Sequence, residues 1–176
     1  MIVETERLYL REMKQSDYAG LCRILQDEDV MYAYEHSFDG SEVQEWLDRQ
    51  IKRYSDYGFG LWAVILKEND EMIGQCGLTM QDCNGKQVLE IGYLFQKAYW
   101  HNGYCIESAI ACKKYAFDTL KAKEVFSIIR DTNIASQNVA KRNGMAVVDK
   151  FVKNYYNTDM PHLLYSVKAK EQRTFT

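Results

Sequence analysis

Residues 90–109 read Glu90-Ile91-Gly92-Tyr93-Leu94-Phe95-Gln96-Lys97-Ala98-Tyr99-Trp100-His101-Asn102-Gly103-Tyr104-Cys105-Ile106-Glu107-Ser108-Ala109. In the run Val88 to Phe95, residues Leu89, Ile91, Tyr93 and Phe95 fall on one side of an extended chain, and Glu90 and Gly92 on the other. From Gly103 to Leu120 the apolar residues return at helical spacing, with Ile106, Ala109, Ile110, Phe117 and Leu120 on the buried side. A strand, a short loop and a helix start thus follow one another directly. That geometry offers unpaired backbone N–H groups to an anion. Gly103 lets the backbone approach a phosphate with no Cβ in the way. A helix terminus contributes only about 0.3–1 kcal/mol per exposed charge, so tight binding needs the N–H hydrogen bonds as well. The loop does not single out its ligand, because many such loops carry one glycine.

Upstream, a strand is expected at Leu8–Arg11 and a helix opening near Ser16, with Tyr18, Leu21, Cys22 and Leu25 at helical spacing. A second helix is expected from Ser41, where Ser41 and Gln44 form a capping box and Val43, Trp46, Leu47, Ile51 and Tyr54 form its apolar stripe. Two strand-like runs follow, Phe59–Leu66 and Met72–Thr79, divided by the turn-prone Lys67-Glu68-Asn69-Asp70. Downstream of the central helix come a β-rich run at Val125–Ile129 and a short helix with Asn133 as N-cap and Gly144 at C′. The runs Ala146–Tyr156 and Leu163–Val167 read as closing strands. The order β-αα-βββ-α-β-α-ββ predicts an α/β (α+β) fold, a mixed sheet with helices on both faces.

The chain has 176 residues, 47% hydrophobic and 27% charged, the composition of one ordinary globular domain spanning residues 1–176. A net charge of -3 argues against broad binding to nucleic acid or an anionic membrane. No stretch approaches a membrane span, and Met1-Ile2-Val3-Glu4-Thr5-Glu6 lacks the parts of a signal peptide, so a cytoplasmic protein is expected. Cys22, Cys76, Cys83, Cys105 and Cys112 form no CxxC pair, which leaves them as free thiols and leaves no metal site in view. The chain carries one proline, Pro161, and no low-complexity tract, so no linker is evident.

The stretch from Glu90-Ile91-Gly92-Tyr93-Leu94 through Gly103-Tyr104-Cys105-Ile106-Glu107-Ser108-Ala109 resembles the acetyl-CoA motif of the GNAT acetyltransferases. So does Asn133-Ile134-Ala135-Ser136 with Val139 and Lys141-Arg142-Asn143-Gly144-Met145. The resemblance runs from Thr5-Glu6-Arg7-Leu8 to Leu164-Tyr165-Ser166 and looks nearest to the RimJ/RimL-like branch. It implies a mostly antiparallel, twisted sheet of about six to seven strands. It also implies transfer of acetyl from acetyl-CoA, with no metal, to a primary amine, foremost a protein or peptide N-terminal α-amine. Other readings stay open: a small-molecule amine acceptor (polyamine, amino acid or antibiotic), or a degenerate CoA-binding module. A monomer or a homodimer fits equally.

Carried over by position, the resemblance implies that the backbone N–H groups of His101, Asn102, Gly103, Tyr104 and Cys105 hold the CoA pyrophosphate. Trp100 stands where the family has Arg or Gln. Tyr93, Leu94 and Phe95 belong to the strand that binds the thioester and whose backbone N–H groups stabilise the oxyanion, and Asn133 and Ser136 contact the pantetheine and sulfur end, although Asn133 also reads simply as a helix cap. The family's proton-returning tyrosine corresponds to Ala140, which leaves Ser136, a water or another tyrosine as general acid. Glu90 lies where the family binds the thioester and reads either as general base or as a sheet-surface carboxylate. Eight acids and no Lys or Arg lie between Asp27 and Asp48. They form either a negative rim that attracts a cationic amine or merely a solvated face.

Overall fold

The computed structural model describes residues 1–155 and 157–170. In chain order it comprises β1 (Val3–Glu4), β2 (Leu8–Arg11), α1 (Tyr18–Leu25), α2 (Glu28–Met31), α3 (Gly40–Tyr57), β3 (Leu61–Leu66), β4 (Glu71–Cys83) and β5 (Lys86–Phe95). Then follow α4 (Tyr104–Asp118), β6 (Glu124–Arg130), α5 (Ile134–Arg142), β7 (Ala146–Tyr155) and β8 (Thr158–Lys168). All strands join one sheet in the order β1-β2-β3-β4-β5-β6-β8-β7. Neighbours are antiparallel except β5 and β6, which are parallel and connected through α4.

All six residues of β3 are buried, because both faces of the sheet are covered. Alternation sends Trp62, Val64 and Leu66 to one face, against Ala109, Cys112 and Ala116 of α4. Leu61, Ala63 and Ile65 go to the other, against Leu21, Ile24 and Leu25 of α1 and Val43 and Leu47 of α3. Burying a Leu or Ile side chain contributes roughly 1.5–3 kcal/mol, so these two clusters clamp the sheet between its helices.

The mixed, mostly antiparallel sheet with helices on both faces is the expected one, with eight strands in place of six to seven. The additional strand is β1, two residues at the sheet edge, too short to leave a period of its own. The β4–β5 hairpin is also longer than the expected runs. Its ladder continues to Cys83↔Lys86, closed by Asn84 and Gly85 at φ 53° and 79°, the two-residue turn that an Asn-Gly pair favours. The expected helix pair is three helices, α2 being a single turn capped by the Asp27 carboxylate. The capping box of α3 is Asp39 with Glu42, two residues earlier than Ser41 with Gln44, because a carboxylate at each position satisfies two backbone donors reciprocally. Ile51 and Ile110, expected in buried stripes, are 40% and 46% exposed. Tyr156, where the strand expected from Ala146 was to end, lies outside the described residues.

Candidate active site

The parallel pair β5–β6 meets in register only at Glu90↔Phe126. Beyond that point the strands part. The Ser127 hydroxyl donates to the Ile91 carbonyl at 2.8 Å, so the backbone of Ile91 faces β6. The register between β4 and β5 is unbroken, and alternation therefore points the N–H and C=O of Tyr93 and Phe95 the same way, into the gap. Leu94 turns its backbone to β4 and offers the gap only its side chain. The indole of Trp100 occupies the Phe95 carbonyl at 3.0 Å. Position 100 thus fastens the loop to the end of β5.

Two cavities flank the gap. A larger one, about 830 Å³, runs along the loop and the starts of α4 and α5. A smaller one, about 480 Å³, lies under α3 and reaches β7 and β8 through Lys153 and His162. Both are lined by Val30, Tyr93, Leu94, Asn133 and Ser136. They are two arms of one space.

In the loop, His101 and Gly103 adopt φ 63° and 80°, and the first α4 bond is from Glu107 N–H to the Gly103 carbonyl. The N–H groups from His101 to Ile106 donate to no other described residue. All of these residues but Asn102 line the larger cavity. The loop is braced from behind by the chain start. The Glu107 carboxylate accepts from the Thr5 hydroxyl at 2.6 Å and the Arg7 N–H at 3.0 Å. The Arg7 guanidinium also reaches the Asn102 carbonyl at 3.0 Å and lies over the Tyr104 ring. Burial alone would raise the Glu107 pKa, but the Thr5 hydroxyl and Arg7 outweigh it and hold the carboxyl below its usual value.

At α5, the Asn133 side-chain oxygen accepts the Ser136 N–H at 3.0 Å, a helix cap. The Tyr93 hydroxyl donates to the Ser136 carbonyl at 2.9 Å, tying α5 to β5 across the gap. Burial keeps that phenol protonated by raising its pKa well above the ordinary value. Ala140 is buried and lines neither cavity.

Residues 7–146 match the family model described as an acetyltransferase (GNAT) domain. The chain belongs to the GNAT family. It is an acetyl-CoA-dependent N-acetyltransferase. It is 37% identical to the uncharacterized protein YkkB of Bacillus subtilis (strain 168) over 142 residues, covering 80% of this chain and 83% of that one. Its fold superposes on a GNAT-family acetyltransferase of Bacillus anthracis with a TM-score of 0.82 at 23% identity, covering 96% and 98% of the two chains. It superposes on RimL, a ribosomal L7/L12 α-N-protein acetyltransferase solved with coenzyme A, with a TM-score of 0.76 at 16% identity, covering 95% and 97%.

In this GNAT acetyltransferase the expected residues Tyr93, Leu94, Phe95, His101, Gly103, Tyr104, Cys105, Asn133 and Ser136 all line the larger cavity. Asn102 does not: its side chain donates to the Trp100 carbonyl and its own carbonyl is held by Arg7. Glu90 lines the smaller cavity only. It accepts from Ile128 N–H at 3.2 Å and the Thr79 hydroxyl at 3.3 Å. Burial raises its pKa, opposed by Ile128, Lys153, Thr79 and Arg53. Of the eight acids between Asp27 and Asp48, only Glu42 and Glu45 line the smaller cavity. Asp27 and Asp39 cap helices, Glu35 pairs with Arg130, and Asp29 pairs with Lys97 beside the larger cavity. The sequence reading missed Lys97 and Arg142, which bring cations to the larger cavity. It also missed the Arg7–Glu107 brace, which links residues a hundred positions apart and leaves no local pattern.

Proposed function

We propose that the two arms hold the two substrates: acetyl-CoA in the larger, with its pyrophosphate on the N–H groups of His101, Gly103, Tyr104 and Cys105, and a primary amine in the smaller. The supporting observation is their meeting at Tyr93, Leu94, Asn133 and Ser136, where the β-sheet opens. The larger arm fits the cofactor in kind, since unpartnered donors at a helix start suit a phosphate and Lys97 and Arg142 stand beside them. When bound, acetyl-CoA supplies an activated acetyl thioester.

Glu90 acts as general base, and its raised pKa makes it the stronger one. The Tyr93 N–H, pointing into the gap, stabilises the oxygen charge that develops on direct attack. Ser136 returns a proton to the departing sulfur. No residue becomes acylated. The acceptor class that suits a single carboxylate base is an α-amine. At pH 7 an amine of pKa ~7.8 is about one part in seven neutral, against about one in 2,500 for a lysine at ~10.4. We assign the chain to N-terminal α-amines of proteins or peptides, as in the RimJ/RimL-like branch, in one domain over residues 1–176 and in the cytoplasm. Among the described residues no helix is long and apolar enough to cross a membrane. A small-molecule amine is the second reading, favoured by the size of the smaller cavity, about 480 Å³, which is that of a small-ligand site.

The test is release of CoA thiol across a panel of N-terminal peptides and small amines, with acetyl-CoA binding measured separately by calorimetry. Turnover of peptides carrying only a blocked α-amine and a free lysine would refute the α-amine assignment.

A further inference from the structure

We propose that Arg49 and Arg53 form an anion subsite in the smaller cavity, and that the amine acetylated there carries a carboxylate. This deepens the two-arm reading above and rests on it. Along α3, residues Glu42, Glu45, Trp46, Arg49 and Arg53 follow helical spacing and all line the cavity. Arg49 and Arg53 are one turn apart with like charge, a pairing that destabilises a helix unless an anion shares it. Both are held in place by neutral groups. Arg53 Nη1 donates to the Gln50 side-chain oxygen at 3.2 Å, and that oxygen also accepts the Leu61 N–H at 3.2 Å from the sheet. Arg49 lies over the Trp46 ring at 5.4 Å, and the indole is itself anchored to buried Gln75 at 2.9 Å.

Neither guanidinium makes an ion pair among the described residues, whereas Arg7, Arg11, Arg23 and Arg130 each do. Burial and then the charge of Arg49 lower the Arg53 pKa, against an opposing pull from the Glu90 carboxylate. On the facing side of the cavity Arg130 leaves its buried Nε–H with no acceptor among the described residues. None of the cavity's acids, Glu42, Glu45 and Glu90, forms an ion pair with either arginine among the described residues. Glu42 is occupied by the Asp39 N–H at 2.8 Å and by His36 at 3.0 Å, and Glu90 by Thr79 and Ile128. A polyamine would set its cations against Arg49, Arg53 and Lys153. A carboxylate meets two fixed forks of the kind that binds it in pairs of parallel hydrogen bonds.

The experiment is calorimetry on the CoA-saturated protein with acetylated products. One arm compares N-acetylglycine with N-acetylglycinamide. The other compares N-acetyl-Ser-Asp-amide with its Asn and Lys counterparts. In at least one arm the carboxylate member is expected to bind at least about tenfold tighter than the neutral one, with the lysine peptide weakest. The arm that shows it tells whether the carboxylate is the acceptor's own terminus or a neighbouring side chain. In Arg49→Gln/Arg53→Gln the preference is expected to fall within about twofold, with CoA affinity and Tm held. Raising salt on the parent protein should shrink it as well, a check that needs no variant. Equal binding in both arms, tighter binding of the lysine peptide, a preference that survives the double substitution, or no binding of any product while CoA is held would overturn the subsite. Failure of the parent to bind CoA would instead overturn the two-arm reading beneath it.

Discussion

Arg7 and Glu107 meet through two of the arginine's side-chain nitrogens, Nε and Nη2 reaching Oε2 at 2.8 Å and 2.6 Å, while the Arg7 N–H takes Oε1 at 3.0 Å. The pair sits behind the donor loop without lining either cavity. Glu107→Gln should therefore weaken acetyl-CoA binding by loosening the loop, and lower Tm at neutral pH. The Glu107 pKa is depressed in the folded state, so its stabilisation is present above the ordinary carboxylate value of ~4.3 and is lost as pH falls through the lower folded value. Melting curves of parent and variant should differ at pH 7 and converge as pH falls below the ordinary carboxylate range. A constant gap across that range would show that the brace is not electrostatic.

Glu90 has the opposite sign. Its folded pKa is raised, so the stability linked to it is complete below ~4.3 and declines as pH rises through the folded value. Glu90→Gln should melt higher than the parent at pH 7–8 while losing about 10²–10⁴-fold in kcat/KM. The kinetic deficit should shrink toward the pKa of the amine, where the substrate arrives already neutral. Parallel pH profiles for parent and variant would remove Glu90 as base.

Gly103 has φ 80°, and a Cβ placed there meets only the Arg7 guanidinium, at 3.5 Å. The protein leaves room for a side chain, so Gly103→Val suffers from backbone strain and from any contact with a bound phosphate. Gly103→Asn separates the two, since Asn tolerates the left-handed region. Both variants are expected to lose acetyl-CoA affinity in calorimetry, with only the valine losing several degrees of Tm. Full affinity in Gly103→Asn would move the phosphate off this residue.

Ser136 has its N–H and carbonyl engaged by Asn133 and Tyr93, which leaves the hydroxyl as its only group for chemistry. Ser136→Ala should lower kcat with acetyl-CoA affinity nearly unchanged, because the contact matters as the sulfur gains charge. Single-turnover rates equal to the parent's would assign the proton to water.

Much of this arrangement is legible in the sequence where the signal is local. The alternation of Val88 to Phe95, the Gly103 helix start and the Asn133 cap all involve residues within a turn or two of each other. The Asn84-Gly85 hairpin was equally local, and a search for two-residue turns finds it. What cannot be read locally is the pairing of distant segments. The Arg7–Glu107 brace is of this kind, as is the dispersal of the acids between Asp27 and Asp48 into caps and ion pairs. So is the gathering of Arg49, Arg53, Arg130 and Lys153 around one cavity. A charge run in sequence becomes an electrostatic surface only after folding has decided which partners cancel it.

Because β5 and β6 share a single registered pair, the sheet behaves as two plates, β1–β5 and β6–β8, sutured across the gap by Ser127 to Ile91, Ile128 to Glu90 and Tyr93 to Ser136. A ligand lying along Tyr93 would serve as the absent strand between the plates. Cofactor occupancy should then slow amide hydrogen exchange at Tyr93 and along β6, at a distance from the phosphate loop. Protection confined to residues 101–106 would mean that the plates are already rigid. Spread across both plates, it would mean that acetyl-CoA completes the β-sheet it reacts in.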